Sequence, residues 1–381
     1  MQNKSQDLQN KKIALIHDYL LCFGGAERVL KSFHEMFPEA PIYVICYDKK
    51  IAEKYFPNVK IYASFVQKIP YFWKKPKYLL PFLPLAVESF DLSEYDLVIS
   101  SSSAFAKGVV TKPKTTHICY CHAPMRFAWD YYYEYKKSHS AFRGLKGIFT
   151  KIVLHYMRIW DRHCEARVDY FIANSNFTKE RIKKFYRRDA EVIYPPVNIR
   201  DISDKLPEIK DYFLIISQLR YYKRIDIAIE AFNKLELPLV IIGYGDDRHR
   251  LQKMAKPNIK FLGWLEDEAM IGYYSGCKAF IFPGEEDFGI TAVEAMSFGK
   301  PVLAFRRGGV METVVEGVSG EFFDDLEPAV LADGVRRILE NYKNYNSDII
   351  KQGSMEFNEE KFKDKIMQYL DKISLPTGDL P

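Results

Sequence analysis

Two glutamates, Glu286 and Glu294, have seven residues between them in the run Phe280-Ile-Phe-Pro-Gly-Glu-Glu-Asp-Phe-Gly-Ile-Thr-Ala-Val-Glu-Ala-Met-Ser-Phe-Gly-Lys-Pro301. At this spacing one carboxylate can reach a sugar or a reacting group while the other holds a diol, since each ionised carboxylate accepts several hydrogen bonds. The apolar run at the start reads as a buried parallel strand, broken by Gly284. Residues 292–298 read as a helix, with Gly299 as its C′ residue and Pro301 just beyond. A helix that starts at the carboxyl edge of a parallel sheet aims unpaired N–H groups at the crevice where ligands bind. Such a terminus attracts a phosphate or diphosphate.

Other residues could join that chemistry. Gly24 and Gly25 follow an apolar strand and precede a helix carrying Val29, Leu30 and Phe33. Paired glycines let the backbone approach a bulky anion, although two glycines also make an ordinary turn. The run His117-Ile-Cys-Tyr-Cys-His122 looks like a metal cluster, but on a strand His117, Cys119 and Cys121 share one face and His122 takes the other. No second Cys/His pair follows at zinc spacing, so no metal is expected and the thiols read as buried core groups. His122 ends its strand at a ligand-facing edge. Arg126, four residues on, can hold a phosphate or an acceptor. The run Gly243-Tyr-Gly-Asp-Asp-Arg248 follows another strand, but Arg248 occupies the third glycine position of a dinucleotide fingerprint, which disfavours NAD. No Asp-x-Asp pair exists in the chain.

The elements that must position these residues recur in two rhythms. Short apolar strands are expected at 13–17, 41–46, 97–100, 117–121 and 170–174, and again at 212–217, 239–242, 259–261, 279–282 and 302–304, with helical stretches between them. Such alternation specifies α/β architecture: two Rossmann-like, doubly wound domains with parallel sheets. The boundary is expected near the two prolines of 194–198 and the polar stretch 200–210. This gives domains at 1–198 and 199–357 and a terminal helix within 358–381, where Phe362, Ile366, Met367 and Leu370 recur at helical spacing.

Taken in order, Gly24-Gly25-Ala-Glu27-Arg28, His122-Ala-Pro-Met-Arg126, Lys223, the two-glutamate run and Gly308-Gly309 resemble the motifs of family-4 retaining glycosyltransferases, over nearly the whole chain. The resemblance implies the GT-B fold, with two Rossmann-like domains facing a central cleft, the first binding the acceptor, the second the nucleotide sugar, and the terminal helix crossing back onto the first. It assigns Glu286 and His122 to the donor hexose. Gly24, Gly25, Lys223, Gly243, Asp287, Phe288, Gly289 and Ile290 fall to the rest of the donor, Glu294 to its ribose and Arg126 to the acceptor. Where the family has an arginine five residues before the lysine, this chain has Gln218; Arg220 is the candidate to supply the missing charge. The His-Ala-Pro-Met-Arg-Phe-Ala-Trp-Asp run is most similar to bacterial mannosyltransferases of O-antigen and capsule synthesis. That implies a hexosyltransferase moving mannose from GDP-mannose to a lipid-linked glycan. UDP-glucose, UDP-N-acetylglucosamine, or a nucleotide-sugar epimerase of the same fold are the alternatives. No cofactor and no metal are implied; the nucleotide sugar is a substrate.

Composition bounds the rest. The 381 residues are 48% hydrophobic and 15% aromatic, the balance of a globular chain long enough for two domains. Six scattered cysteines suit a reducing compartment. The first twelve residues are polar, and no apolar run reaches the ~18 residues of a membrane span. Residues 1–198 hold 31 Lys/Arg against 19 Asp/Glu, net +12, whereas 199–381 hold 24 against 31, net −7. A basic half favours an anionic lipid surface, nucleic acid or a phosphorylated acceptor. No nucleic-acid module is recognisable, so nucleic acid is not an expected partner. Three stretches, 68–85, 149–160 and 181–188, mix basic, aromatic and aliphatic residues as headgroup-level segments do. The expectation is a cytoplasmic protein, peripheral on the inner face of the cytoplasmic membrane.

Overall fold

The structure is a computed structural model that describes residues 11–138, 142, 144–199 and 210–373. Most of the polar stretch expected at the boundary, 200–209, lies outside the described residues. The chain divides into two compact units: one runs to Pro196 and resumes at Glu360, and the other is Val197–Glu359.

The first unit holds seven strands, β1 (Ile13–Leu20), β2 (Ile42–Tyr47), β3 (Ile61–Ala63), β4 (Leu97–Ser102), β5 (Thr116–Cys121), β6 (Tyr170–Ala173) and β7 (Ala190–Val192). All pair in parallel in the order β3-β2-β1-β4-β5-β6-β7. The second unit holds β8 (Phe213–Ile216), β9 (Leu239–Ile242), β10 (Ile259–Gly263), β11 (Ala279–Phe282), β12 (Val302–Phe305) and β13 (Gly320–Phe323), parallel in the order β10-β9-β8-β11-β12-β13. Each sheet reverses direction once, between β1 and β4 and between β8 and β11. In doubly wound sheets the crevice beyond the carboxyl ends of the strands at such a reversal is where ligands bind.

Strand residues alternate between two apolar layers, because successive side chains leave opposite faces of a sheet. In the first unit Ala14, Ile16 and Val98 join Met157 and Trp160 of the helix Gly144–Cys164 on one face. Leu15, Ile99 and Tyr120 join Phe33 of the helix Gly25–Met36 on the other. Phe362, Ile366 and Leu370 of the last helix, Glu359–Lys372, enter that second layer, where Phe362 meets Phe33 edge-on at 5.5 Å. The three-residue strands β3 and β7 and strand β13 were not among the expected ones; β3 and β7 are sheet edges too short for a clear period, and β13 is four residues that open on Gly320 and Glu321.

Candidate functional site

In the second unit the loops after β8 and β11 lie at the reversal. The helix Ile290–Ser297 starts two residues earlier than expected, at a Gly289 with φ +98°, and Gly299 ends it at φ +71°. Both angles lie in the left-handed region, open to glycine at little cost. The cap residue itself, being glycine, brings no side chain to the N-terminus of this helix. Glu286 precedes it, partly exposed, and contacts Nζ of Lys223 from the loop after β8. Gly308 and Gly309 press beneath: the Gly309 N–H donates to the Glu286 carbonyl at 2.9 Å, and a Cβ on Gly308 would lie 2.3 Å from that same oxygen. Glu294 is buried on the helix, and Oε2 accepts the Tyr274 hydroxyl at 2.7 Å. Tyr274 is held in turn by its ring, stacked on Phe298 at 5.3 Å.

The structure thus brings Lys223, Glu286, Asp287, Gly289 and Ile290 to one loop cluster, with Glu294 on the helix that starts there. Three sequence candidates fit less simply. The Phe288 ring is buried against Phe357 at 5.4 Å, so any ligand contact falls to its backbone. Arg220 donates from Nη1 to Asp246 at 2.7 Å, which holds its charge on the neighbouring loop. Gly243 donates its N–H to the Gly263 carbonyl at 2.7 Å, a bond that ties the end of β9 to β10, and a Cβ there would lie 1.9 Å from the Ser217 carbonyl oxygen.

In the first unit, His17 of β1 and Ser101 of β4 are direct register partners. His122 follows β5, and its N–H donates to the Ser102 carbonyl at 2.9 Å. Side chains here continue the face that carries Leu15, Ile99 and Tyr120. The His122 carbonyl is fixed by Asn174 at 3.0 Å and Thr178 at 3.4 Å. His122 Nε2 lies 2.8 Å from Ser101 Oγ. Ser101 in turn meets His17 Nδ1 through both its carbonyl, at 3.0 Å, and its hydroxyl, at 3.1 Å. His17 Nε2 faces Glu27 Oε1 at 3.7 Å. Burial works against charge on His17, but Glu27, Asp18 and the Ser101 carbonyl outweigh it and its pKa is raised. Burial and then the neighbouring His17 push His122 down to about 3, so its ring is neutral at ordinary pH.

Gly24 begins the helix that carries Glu27, and its N–H donates to Glu27 Oε2 at 2.9 Å. That amide is therefore committed, and a ligand can meet Gly24 only across its bare Cα. Gly25 is the first residue of the helix. The Arg126 guanidinium lies over the Tyr131 ring at 4.9 Å. Cys119 and Cys121 are fully buried in a layer with Phe171 and Ile182. His117 Nδ1 donates to the Arg167 carbonyl at 3.1 Å, and its Nε2 lies 2.8 Å from Ser100 Oγ.

Sequence reasoning passed over His17, Ser101 and Tyr274. A signal existed for the first two, since His17 and Ser101 both stand near the carboxyl ends of strands at the reversal. Tyr274 lies near the end of the helix Asp267–Gly276 and carries no local mark.

The basic surface stretches separate on inspection. In 68–85 the aromatic and aliphatic residues Tyr71, Tyr78, Phe82 and Leu85 are exposed beside Lys74, Lys75 and Lys77. On the helix Gly144–Cys164, Ile148, Ile152, Tyr156 and Ile159 make an exposed apolar stripe, whereas Val153, expected on the surface, is turned into the core. The stretch 181–188 is largely structural: Arg181 pairs with Asp130, and Arg188 binds Glu165 and the carbonyls of Val168 and Asp169. Among the described residues no helix is long and apolar enough to cross a membrane.

The family model for glycosyltransferase family 4 matches residues 23–201, and that for glycosyl transferases group 1 matches residues 198–355. The chain belongs to this glycosyltransferase family. It is 26% identical over 254 residues to the alpha-1,3/1,6-mannosyltransferase ALG2 of Mus musculus, covering 56% of this chain and 61% of that one. It is 26% identical over 201 residues to O-antigen chain mannosyltransferase C of Escherichia coli, covering 48% and 54%. The D-rhamnosyltransferase WbpZ of Pseudomonas aeruginosa is 29% identical over 216 residues, covering 52% and 55%. The matches thus span little more than half the length of these relatives. Among solved structures, Anabaena Alr3699/HepE in complex with UDP and glucose superposes with a TM-score of 0.71 at 20% identity, covering 96% of this chain and all of that one. Sucrose-phosphate synthase of Thermosynechococcus elongatus gives 0.71 at 15%, covering 94% and 98%. These likenesses establish the fold, GT-B, with two Rossmann-like domains.

Proposed function

We propose that the protein is a retaining, metal-independent hexosyltransferase that moves mannose from GDP-mannose to a lipid-linked glycan. The observation that carries the donor reading is the meeting of the Lys223 cation with Glu286 just ahead of a helix N-terminus that begins at Gly289. A diphosphate carries the charge that both the cation and the terminus favour. Glu294, oriented by Tyr274, clasps the ribose hydroxyls. Glu286 and His122 bind the hexose, and Arg126 the acceptor. The acceptor hydroxyl attacks the anomeric carbon on the face the leaving group vacates. The carbon–oxygen bond to the diphosphate breaks, and a leaving phosphate oxygen takes the acceptor's proton. The configuration is retained, no protein base is needed, and Lys223 stabilises the charge that develops on the diphosphate. A neutral His122 suits this scheme, because it donates a hydrogen bond and exchanges no proton.

Mannose follows the relatives, whose names are those of mannosyl- and rhamnosyltransferases. A lipid-linked acceptor follows the exposed apolar stripe of the helix Gly144–Cys164 and the lysine–aromatic turns, features that suit an anionic bilayer surface. Calorimetry with GDP, UDP and ADP tests the donor site. GDP is expected to bind tightest, and Glu294→Ala should weaken it by about 1.5–3 kcal/mol, the range for a hydrogen bond to a charged group. Unchanged nucleotide affinity in Glu294→Ala would refute the ribose contact. Product stereochemistry, read by NMR, tests retention.

A further inference from the structure

The first unit carries a chain of polar side chains that no step of the proposed reaction uses. Glu27 accepts the Gly24 N–H on one carboxylate oxygen and faces His17 Nε2 with the other, at 3.7 Å. His17 is 2% exposed and has an acceptor at each ring nitrogen, Glu27 on one side and the Ser101 carbonyl on the other. A carbonyl cannot donate, so His17 Nδ1 carries a proton. That N–H also reaches Ser101 Oγ, which has only one proton of its own to give. That proton has one neighbour left to meet, His122 Nε2, at 2.8 Å; a hydroxyl that accepted there instead would leave its own proton buried without a partner. An imidazole nitrogen that accepts bears no proton, so a neutral His122 must hold its proton on Nδ1. The other groups packed around His122 are the Tyr120 ring, at 5.2 Å, and Asn174 and Thr178, which both bind its backbone carbonyl. None of them competes for the ring nitrogens.

We propose that His17 and Ser101 are positioning residues that fix one tautomer of His122 and leave its Nδ1–H as the hydrogen-bond donor to the hexose, while Glu27 holds the His17 ring in place. This rests on the reading that His122 touches the sugar. The chain explains why β1 holds a buried histidine opposite a serine, on the face where Leu15 and Ile99 are apolar. It also gives Glu27 a task separate from the donor phosphates.

The test uses the full chain labelled with ¹⁵N-histidine, with the His122 resonances assigned by their loss in His122→Gln. At pH 7 the wild-type spectrum is expected to show His122 as a single neutral tautomer with bare Nε2. Ser101→Ala should move part of the proton to Nε2 and lower kcat about tenfold, the loss of one well-oriented hydrogen bond, with KM for the donor and nucleotide affinity within twofold of wild type. Glu27→Gln should shift the His17 titration to lower pH and leave the His122 tautomer intact, because His17 Nδ1 still faces a carbonyl. A wild-type His122 protonated on Nε2 overturns the proposal, and that measurement needs no variant to fold. A tautomer shift in Ser101→Ala without loss of kcat overturns the positioning role. Full turnover by His122→Ala refutes the sugar contact, whereas the wild-type spectrum decides the chain's geometry separately.

Discussion

Acidification should destabilise the first unit through two buried imidazoles. Burial pushes His122 down to about 3, and burial, only partly opposed by the Arg167 carbonyl and Asp169, pushes His117 down to about 4. Both start from an ordinary value of 6.5 in the unfolded chain. Between 6.5 and each folded value the unfolded state binds more protons, so stability falls as pH falls. At pH 5 the shortfall is about 1.5 pH units for each group, and at about 1.4 kcal/mol per unit this costs roughly 2 kcal/mol apiece. His17 acts in the opposite sense. Its folded pKa is raised, so its contribution is complete below 6.5 and is lost as pH rises through the folded value. The net loss from pH 7 to pH 5 is therefore less than the roughly 4 kcal/mol of the two lowered groups together. The assay is urea unfolding at both pH values, followed by the tryptophans of the first unit in a Trp264→Phe background that silences the second. His117→Gln should remove about 2 kcal/mol of the pH dependence, whatever its cost at a single pH. If His117→Gln and His122→Gln both leave the pH 7 to pH 5 difference unchanged within about 0.5 kcal/mol, a fraction of one such shift, these rings are not held neutral by the fold.

Four further outcomes follow. Tyr274→Phe removes the hydroxyl that Glu294 accepts and should weaken nucleotide binding up to about tenfold by calorimetry, less than Glu294→Ala does; an effect equal to that of Glu294→Ala would make Tyr274 a ligand group in its own right. Asp246 engages Arg220, so Arg220→Ala should weaken diphosphate binding less than Lys223→Ala; equal losses would show that Arg220 replaces the cation absent at Gln218. EDTA should leave transfer largely intact, and a complete loss reversed by Mg²⁺ would refute the metal-independent scheme. Replacing Lys74, Lys75 and Lys77 together by Ser should weaken co-sedimentation with phosphatidylglycerol vesicles several-fold at low salt, where surface charge is least screened, and leave GDP binding unchanged; wild-type protein remaining in the supernatant at low salt would dismiss the membrane reading.

The doubly wound architecture was legible because its strands are buried on both faces and read as short apolar runs. Strands β9 and β11 fall where those runs do, at 239–242 and 279–282. The edge strands β3 and β7 escaped because three residues carry no period, and strand β4 runs two residues beyond the expected 97–100, into Ser101 and Ser102. The two-glutamate loop was legible for a different reason: glycines at both ends of a short helix and a proline beyond leave few other readings. Local sequence could not show which polar groups the fold pairs. Arg188 sits in a basic run that reads as a charged surface, yet its guanidinium closes two backbone carbonyls. Val153 sits in a run of exposed aliphatics, yet helical phase turns it inward with Met157 and Trp160.

The same limit explains the histidines. His117 and His122 lie five residues apart on one strand and its exit, and both are held neutral, but by different means. His117 is sealed between a carbonyl and the Ser100 hydroxyl and has no ring nitrogen left over. His122 has one ring nitrogen engaged, by Ser101. A histidine built only for packing would be expected to resemble the first. In a transfer that gives its proton to the leaving phosphate, a histidine beside the sugar is useful only if it keeps its proton on a known atom. The buried Glu27–His17–Ser101 series supplies that constraint from across two strands and a helix. The separation in sequence, from 17 to 101 to 122, is the reason that no motif scan along the chain would have joined them.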